Sequence, residues 1–341
     1  MGGGVAFAVG LFAIGVPFSR HGAEVKQYSV DATAAVLLLL IALDLWRQDA
    51  STRRLVLAGL AGLVIVLLSQ ASVLVMAGIG LAFAVRWLLS HERADGRVLL
   101  VTMPFWGAAA VFAIALGRDS MTPSTRQFMD DFWNPGFFPS PIKSPTDIRW
   151  FWDQALTVFT DPTLLRYRWP ALYLAVALLG IIELWRRRRD VALLLLGPLV
   201  MALVAAIAHQ YPFRGRLMFY LIPGLLLAIA AGAEWIRRAA ERYHPVLGGG
   251  LMIGLMVPPV VALAEVPPPY DMEYQRVMLG YLQQHRRPGD VVYVMPLART
   301  GVLYYGPRYG LVVGDWVTGV CDREDTRAYL RDVDRYRGTV R

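Results

Sequence analysis

Residues 20–31 read Arg20-His21-Gly22-Ala23-Glu24-Val25-Lys26-Gln27-Tyr28-Ser29-Val30-Asp31, a polar stretch set between two apolar runs, 5–18 and 32–46. Each flank has roughly the length of a membrane span. A charged side chain at the centre of a spanning helix costs about 2.5–3.5 kcal/mol on insertion scales, and less near the lipid–water boundary. Glu24 and Lys26 therefore either sit at that boundary as anchors or line a polar cavity. On both readings the runs beside them are membrane segments.

The whole chain has the same character. Its 341 residues are 56% hydrophobic and only 18% charged, with a mean hydropathy of +0.44. That is too apolar for an ordinary soluble domain. The net charge of +8 raises the question of nucleic acid. The arginines, however, cluster in short loops between apolar runs, as membrane topology requires, and nucleic acid is set aside. The single cysteine, Cys321, excludes an intramolecular disulfide. No basic segment precedes the run 5–18, so the N-terminus does not read as a signal peptide.

Apolar runs fall at about 3–18, 29–46, 55–69, 72–89, 98–117, 169–185, 191–208, 217–234 and 247–266. The interval 55–85 is long for one tilted helix and short for two full spans. Charge decides. Arg47, Arg53 and Arg54 precede it and Arg86, Arg93 and Arg97 follow it, so both ends face the cytoplasm and the chain turns at Ser69-Gln70-Ala71-Ser72. Arg186–Arg189, Arg237, Arg238 and Arg242 then also lie inside. The loops 19–31, 118–168 and 209–216 and the tail lie outside. The expected fold is an α-helical polytopic membrane domain, 1–266, of about nine spans with its N-terminus inside. A small extracytoplasmic α/β domain, 267–341, follows.

The loop 118–168 is rich in aromatic residues, and two helices are expected in it. One is 124–133, capped by Ser124 or Thr125 and ended by Asn134-Pro135-Gly136; the other is 147–159. Aromatics beside Arg and Asp suit amphipathic helices in the interface, as a plain aromatic belt or in contact with substrate. Asp130 and Asp131, as helix neighbours, point about 100° apart and make no ready metal clamp. His209 has no partner at ligand spacing. A divalent metal stays open, with no ligand set assigned. In the loop 209–216, Arg214 and Arg216 precede an apolar run carrying Pro223. An arginine here either presents a bidentate fork to a phosphate or snorkels to lipid headgroups.

After Pro267-Pro268-Pro269 the pattern turns soluble: a helix over 272–287, a strand over 291–295, a helix over 299–305, a strand over 311–314 and a helix over 324–336. A further strand is expected where the chain stops. Gly248-Gly249-Gly250 lacks the strand and the Lys-Ser/Thr of a phosphate loop. There is no nucleophile elbow, zinc spacing or internal repeat.

The segment Glu24-Val25-Lys26-Gln27-Tyr28-Ser29-Val30-Asp31 with the helix after it resembles the GT-C superfamily of polytopic glycosyltransferases, in the RgtA/B/C/D-like and protein O-mannosyltransferase group. The Arg216 segment, with its early proline, and residues 287–306 resemble the same group. The resemblance implies transfer of a sugar from a polyprenyl-phosphate carrier to a lipid, glycan or protein acceptor at the outer membrane face. It implies that Lys26 and Arg216 bind the donor phosphate, that Arg214 belongs to the same substrate site, that Glu24 and Asp31 contact sugar or metal, and that Tyr28 stacks on or hydrogen-bonds the carrier. In such enzymes the catalytic acid lies on a first outer loop upstream of this stretch. The chain is therefore expected to be a fragment cut at both ends, with that acid upstream of Met1. The alternatives are a non-catalytic membrane protein and a lipid-linked-sugar flippase. A flippase would want ionisable residues in mid-span, whereas Asp44, Glu183, Glu234 and Glu265 sit near span ends.

Overall fold

Long apolar stretches with few breakers form helices, because only a helix satisfies every backbone group within its own segment when lipid replaces water. The structure, a computed structural model, describes residues 2–24, 26–47, 50–119, 123–161, 163–265, 274–320 and 326–336. Cys321 and the expected last strand lie outside the described residues. The chain divides into a larger unit, Met1–Met121 with Asp131–Pro267, and a smaller one, Thr122–Asp130 with Pro268–Arg341.

The larger unit is helical. It comprises α1 (Gly2–Ile14), α2 (Val16–Ala23), α3 (Tyr28–Arg47), α4 (Thr52–Leu68), α5 (Ser72–Ser90) and α6 (Arg93–Arg97). A π-helical turn, Val98–Thr102, leads into α7 (Met103–Asp119). Then come α8 (Pro123–Trp133), which begins in the smaller unit, α9 (Arg149–Thr160), α10 (Pro170–Arg187), α11 (Arg189–Ile207), α12 (Ile222–Glu241) and α13 (Pro245–Glu265). Among the described residues six helical segments are long and apolar enough to cross a membrane: Tyr28–Arg47, Ser72–Ser90, Arg93–Gly117, Arg189–Ile207, Gly215–Glu241 and Pro245–Glu265. Their outward faces are as apolar as their inward ones. Leu38 is fully buried on α3, while Leu40 is 57% exposed on the same helix. A surface of that kind suits lipid, so this is an α-helical membrane protein.

Three expected spans depart from a simple crossing. The run 3–18 is not one straight helix, because α1 and α2 meet at a 59° bend. Gly15 is extended there, and Pro17 in the first turn of α2 can neither donate to the preceding turn nor avoid its carbonyl. Helix α4, capped by the Ser51 hydroxyl, has 17 residues, about 25 Å at 1.5 Å per residue against a hydrocarbon core of about 30 Å. Helix α10 carries Arg186 and Arg187 in its last turn.

The interval 55–85 does break in the middle. Ser69 is extended, its hydroxyl accepts from the Ser72 N–H at 3.2 Å, and the Ser72 hydroxyl donates back to the Ser69 carbonyl. Local side-chain bonds thus replace the helical ladder.

Small residues let the helices approach closely. A Cβ on Gly180 of α10 would lie 1.8 Å from the Ala228 carbonyl of α12, and one on Gly232 1.9 Å from the Val176 carbonyl. Gly78 of α5 meets Gly197 and Pro198 of α11 in the same way, at 2.1 Å. Polar bonds cover what the prolines leave open. Pro259 inside α13 has no N–H for the carbonyl of Leu255, and the Tyr173 hydroxyl of α10 donates to that carbonyl at 2.6 Å. Tyr173→Phe strands the carbonyl, and a loss of about 1–2 kcal/mol is expected in detergent or denaturant unfolding. A stability equal to that of the parent protein refutes this role.

Charged residues gather where the charge pattern groups them. Asp95, fully buried, takes the Arg86 guanidinium, which also donates to the Trp46 carbonyl and lies 4.0 Å over the Trp46 ring. Arg97 donates to Thr52. Glu234 accepts from Arg237 and Arg238, and Gly3 and Gly4 of α1 pack against it.

The segment between α7 and α10 differs from expectation at its caps. Helix α8 starts at Pro123, a favoured first helical residue, so Ser124 and Thr125 lie inside the helix rather than capping it. Ser144 caps the next turn through a reciprocal box with Asp147. The backbone N–H groups of Lys143 and Ser144 hold the Asp147 carboxyl below its ordinary range. The aromatic residues divide. Phe132, Trp152 and Trp169 are exposed, but Phe137, Phe138, Trp150 and Phe159 are buried, so the second group is core rather than belt.

In the smaller unit, β1 (Val292–Val294) pairs in parallel with β2 (Trp316–Thr318), with Val292 opposite Trp316. Helices α14 (Gln275–His285), α15 (Arg299–Tyr305) and α16 (Thr326–Asp334) accompany them. Leu279, Val294, Val302 and Leu311 form the buried centre. The strand expected at 311–314 is a turn instead. The Asp315 carboxylate accepts the Val312 N–H at 3.0 Å, and Gly314 takes φ +107°, so pairing begins only at Trp316. Arg286 and that N–H hold the Asp315 carboxyl below its usual range.

Candidate functional site

The polar stretch is the junction between α2 and α3. Helix α2 ends at Ala23, and the Glu24 N–H closes its last turn on the Arg20 carbonyl. The Glu24 side chain becomes a hub, with Arg20 Nε and His21 Nδ1 at 3.6 Å and Lys26 Nζ at 3.8 Å. Glu24 is thus held by its own neighbours. The Lys26 side chain is 47% exposed and makes no hydrogen bond among the described residues.

His21, which sequence reasoning gave no role, is the buried fastener of this junction. Its ring is 1% exposed and sits edge-on to Tyr28 and Phe219. Its Nε2 lies 2.9 Å from the Thr163 carbonyl. A carbonyl only accepts, so Nε2 carries a proton, and Nδ1 faces the Glu24 carboxylate.

Tyr28 and Asp31 open α3, and both are buried, at 7% and 5% exposure. Tyr28 lies under the Arg216 guanidinium, 5.5 Å from ring centre to Cζ. Asp31 turns the other way and accepts from the Ser69 hydroxyl at 2.6 Å. The structure therefore gives Asp31 to the turn between α4 and α5. It is not on an open surface where sugar or metal would reach it.

Arg214 and Arg216 lie on the segment that enters α12. The Tyr211 hydroxyl donates to the Leu217 carbonyl at 3.0 Å, and the Phe213 N–H donates to the Gly136 carbonyl. Burial pushes the Tyr211 phenol above its ordinary pKa, so it stays a donor at neutral pH. Gly215 takes φ +54°, a conformation open to glycine at no steric cost. A Cβ there would also approach Thr163 Oγ1 at 3.3 Å and Asp161 Oδ2 at 3.4 Å. The 3-10 turns Gly215–Leu221 then pass into α12, whose second residue is Pro223. Arg214 and Arg216 are both half-buried, and among the described residues neither has a carboxylate partner.

The same segment walls a cavity of about 320 Å³ between α3, α9, α10, α11 and α12. The lining is almost wholly apolar, with Leu39, Phe159, Leu195 and Leu225 among its residues. Phe213, Met218 and Tyr220 line it from the arginine segment, and the buried Tyr220 hydroxyl has no hydrogen-bond partner among the described residues. A cationic head region and an apolar cavity therefore share residues 213–220. That arrangement can take an amphiphile with an anionic head.

Other residues singled out in the sequence lie elsewhere. His209 bonds the Phe138 carbonyl at 2.9 Å and stacks on Phe137, so it ties two loops together. Asp130 and Asp131 are exposed. Among the described residues no three His, Cys, Asp or Glu side chains come together as a metal site. Comparison with protein-family models, with characterised proteins and with solved structures finds no match.

Proposed function

We propose that the chain is a membrane glycosyltransferase of the GT-C kind, taking a sugar from a polyprenyl-phosphate donor at the extracytoplasmic face. In this reading all nine apolar runs cross the bilayer or dip into it, with α1 and α2 as one bent crossing. The N-terminus is cytoplasmic, and the C-terminal α/β unit is outside. The observation that carries the reading is the continuity of residues 213–220, in which Arg214 and Arg216 share one segment with Phe213, Met218 and Tyr220, three residues that line an apolar cavity of about 320 Å³. The donor has the matching shape: a charged phosphate and a long hydrocarbon tail.

The chemistry follows from charge. The acceptor hydroxyl oxygen forms a bond to the sugar's anomeric carbon as that carbon's bond to the phosphate oxygen breaks, and the hydroxyl proton passes to solvent water. The bonding pair leaves with the carrier phosphate, whose charge goes from −1 in the diester toward −2. Lys26, Arg214 and Arg216 stabilise the growing charge, and the Tyr28 ring under Arg216 orients the guanidinium. The Glu24 carboxylate, with Arg20 on one side, attracts Lys26 by charge across 3.8 Å.

The test is a vesicle assay with a radiolabelled polyprenyl-phosphate sugar. Acceptor-dependent loss of label from the lipid supports transfer. Movement of intact labelled lipid across the bilayer, without release, replaces the reading with a flippase. Tight donor binding with neither outcome leaves a non-catalytic lipid-binding protein.

A further inference from the structure

Helix α14 has more apolar surface than its own unit covers. Leu279 is 3% exposed and Leu282 packs beside it on the buried centre of the unit. Tyr274, Val277, Met278 and Tyr281 are 58–63% exposed. At about 100° per residue these four share one stripe, roughly a third of a turn from the Leu279 face. Gln283 lies on the opposite side from the stripe and is exposed. The helix thus has a core face, a polar face and an unpartnered apolar face.

We infer that α14 lies in the lipid–water boundary, with the Tyr274–Val277–Met278–Tyr281 stripe in the bilayer. Three observations select lipid as the occupant. Helix α13, one of the segments able to cross a membrane, ends at Glu265, and α14 begins at Gln275. Even fully extended, the connecting residues reach about 30 Å, so the stripe is never far from a bilayer surface and meets it at high effective concentration. The stripe also begins and ends in tyrosine, the side chain that places an apolar ring in lipid and a hydroxyl in the headgroups. Finally, His285 stacks on Tyr281 with ring centres 4.0 Å apart, which puts a second amphipathic ring at that boundary. Helices of this pattern insert an apolar face about 5–10 Å deep. The inference does not depend on the glycosyltransferase reading.

The test uses the protein in phospholipid nanodiscs, with Cys321→Ser to remove the one cysteine and an environment-sensitive fluorophore on Val277→Cys, Met278→Cys or Gln283→Cys. Lipids bearing a nitroxide on the upper acyl chain are expected to quench labels at 277 and 278 at least twofold more than one at 283. Aqueous iodide should quench in the reverse order. Equal iodide quenching at all three positions puts the stripe in water and overturns the inference. Protection at 277 and 278 from both quenchers shows that protein covers the stripe, which overturns it too. If a stripe variant is not monodisperse, Tyr281→Cys carries the same readout.

Discussion

Arg216→Ala is expected to weaken binding of a polyprenyl-phosphate donor by about 2–5 kcal/mol, roughly 30-fold to several thousandfold in Kd. The size follows from where the guanidinium sits. It is half-buried over the Tyr28 ring, has no carboxylate partner among the described residues, and lies on the segment that walls the cavity. A phosphate bound there would be largely desolvated, and a desolvated anion that loses its cation is left uncompensated. An arginine that only anchors the protein to headgroups would change donor affinity by less than about 1 kcal/mol. Arg216→Lys separates charge from geometry. It keeps the cation but loses the fork and the ring stacking, so an intermediate loss is expected. Titration calorimetry with polyprenyl phosphate, run on all three proteins, measures the series. Unchanged affinity in Arg216→Ala removes Arg216 from the site, whatever the activity assay shows.

The helical content, the turn at 69–72 and the helices of the smaller unit were legible because their signals are local. Arginines on both sides of 55–85 placed the turn, and Ser69 and Ser72 carry it out. The bend at Gly15 was hidden inside a run that hydropathy treats as uniform. The displaced strand at 316–318 has a comparable cause, since one Asp315 side chain turns the backbone before it can pair. The site was legible in part. Residue type and boundary position pointed to Glu24, Lys26 and Arg216, whereas Tyr28 entered only through the resemblance. Nothing local indicated that Asp31 would bond Ser69, 38 residues away, or that His21 would reach Thr163, 142 residues away. Apolar periodicity does not reveal the cavity either, because leucines that line it and leucines that fill a core look alike in sequence.

The second large effect concerns the packing that gives the cavity two of its walls. Helices α10 and α12 touch backbone to backbone at Gly180 and Gly232. Gly180→Val is expected to destabilise the larger unit by more than about 3 kcal/mol, beyond the ordinary range for overpacking. The clash is with a carbonyl of a neighbouring helix and not with a side chain that can swing aside. Even Gly180→Ala brings a Cβ to 1.8 Å from the Ala228 carbonyl, so that helix would have to shift bodily. A different glycine gives the control. Gly254 on α13 has no neighbour within 4 Å of a Cβ, so Gly254→Ala removes only the backbone freedom of glycine. It should be neutral, or stabilising by up to about 1 kcal/mol. Thermal unfolding of the purified variants, followed by loss of the monodisperse peak, reads the contrast. If Gly180→Ala melts with Gly254→Ala at the parent temperature, the two helices are not in backbone contact, and the cavity between α10, α11 and α12 must be redrawn. If Gly180→Ala stays folded but loses donor binding, the helix has moved just enough to close the tail site.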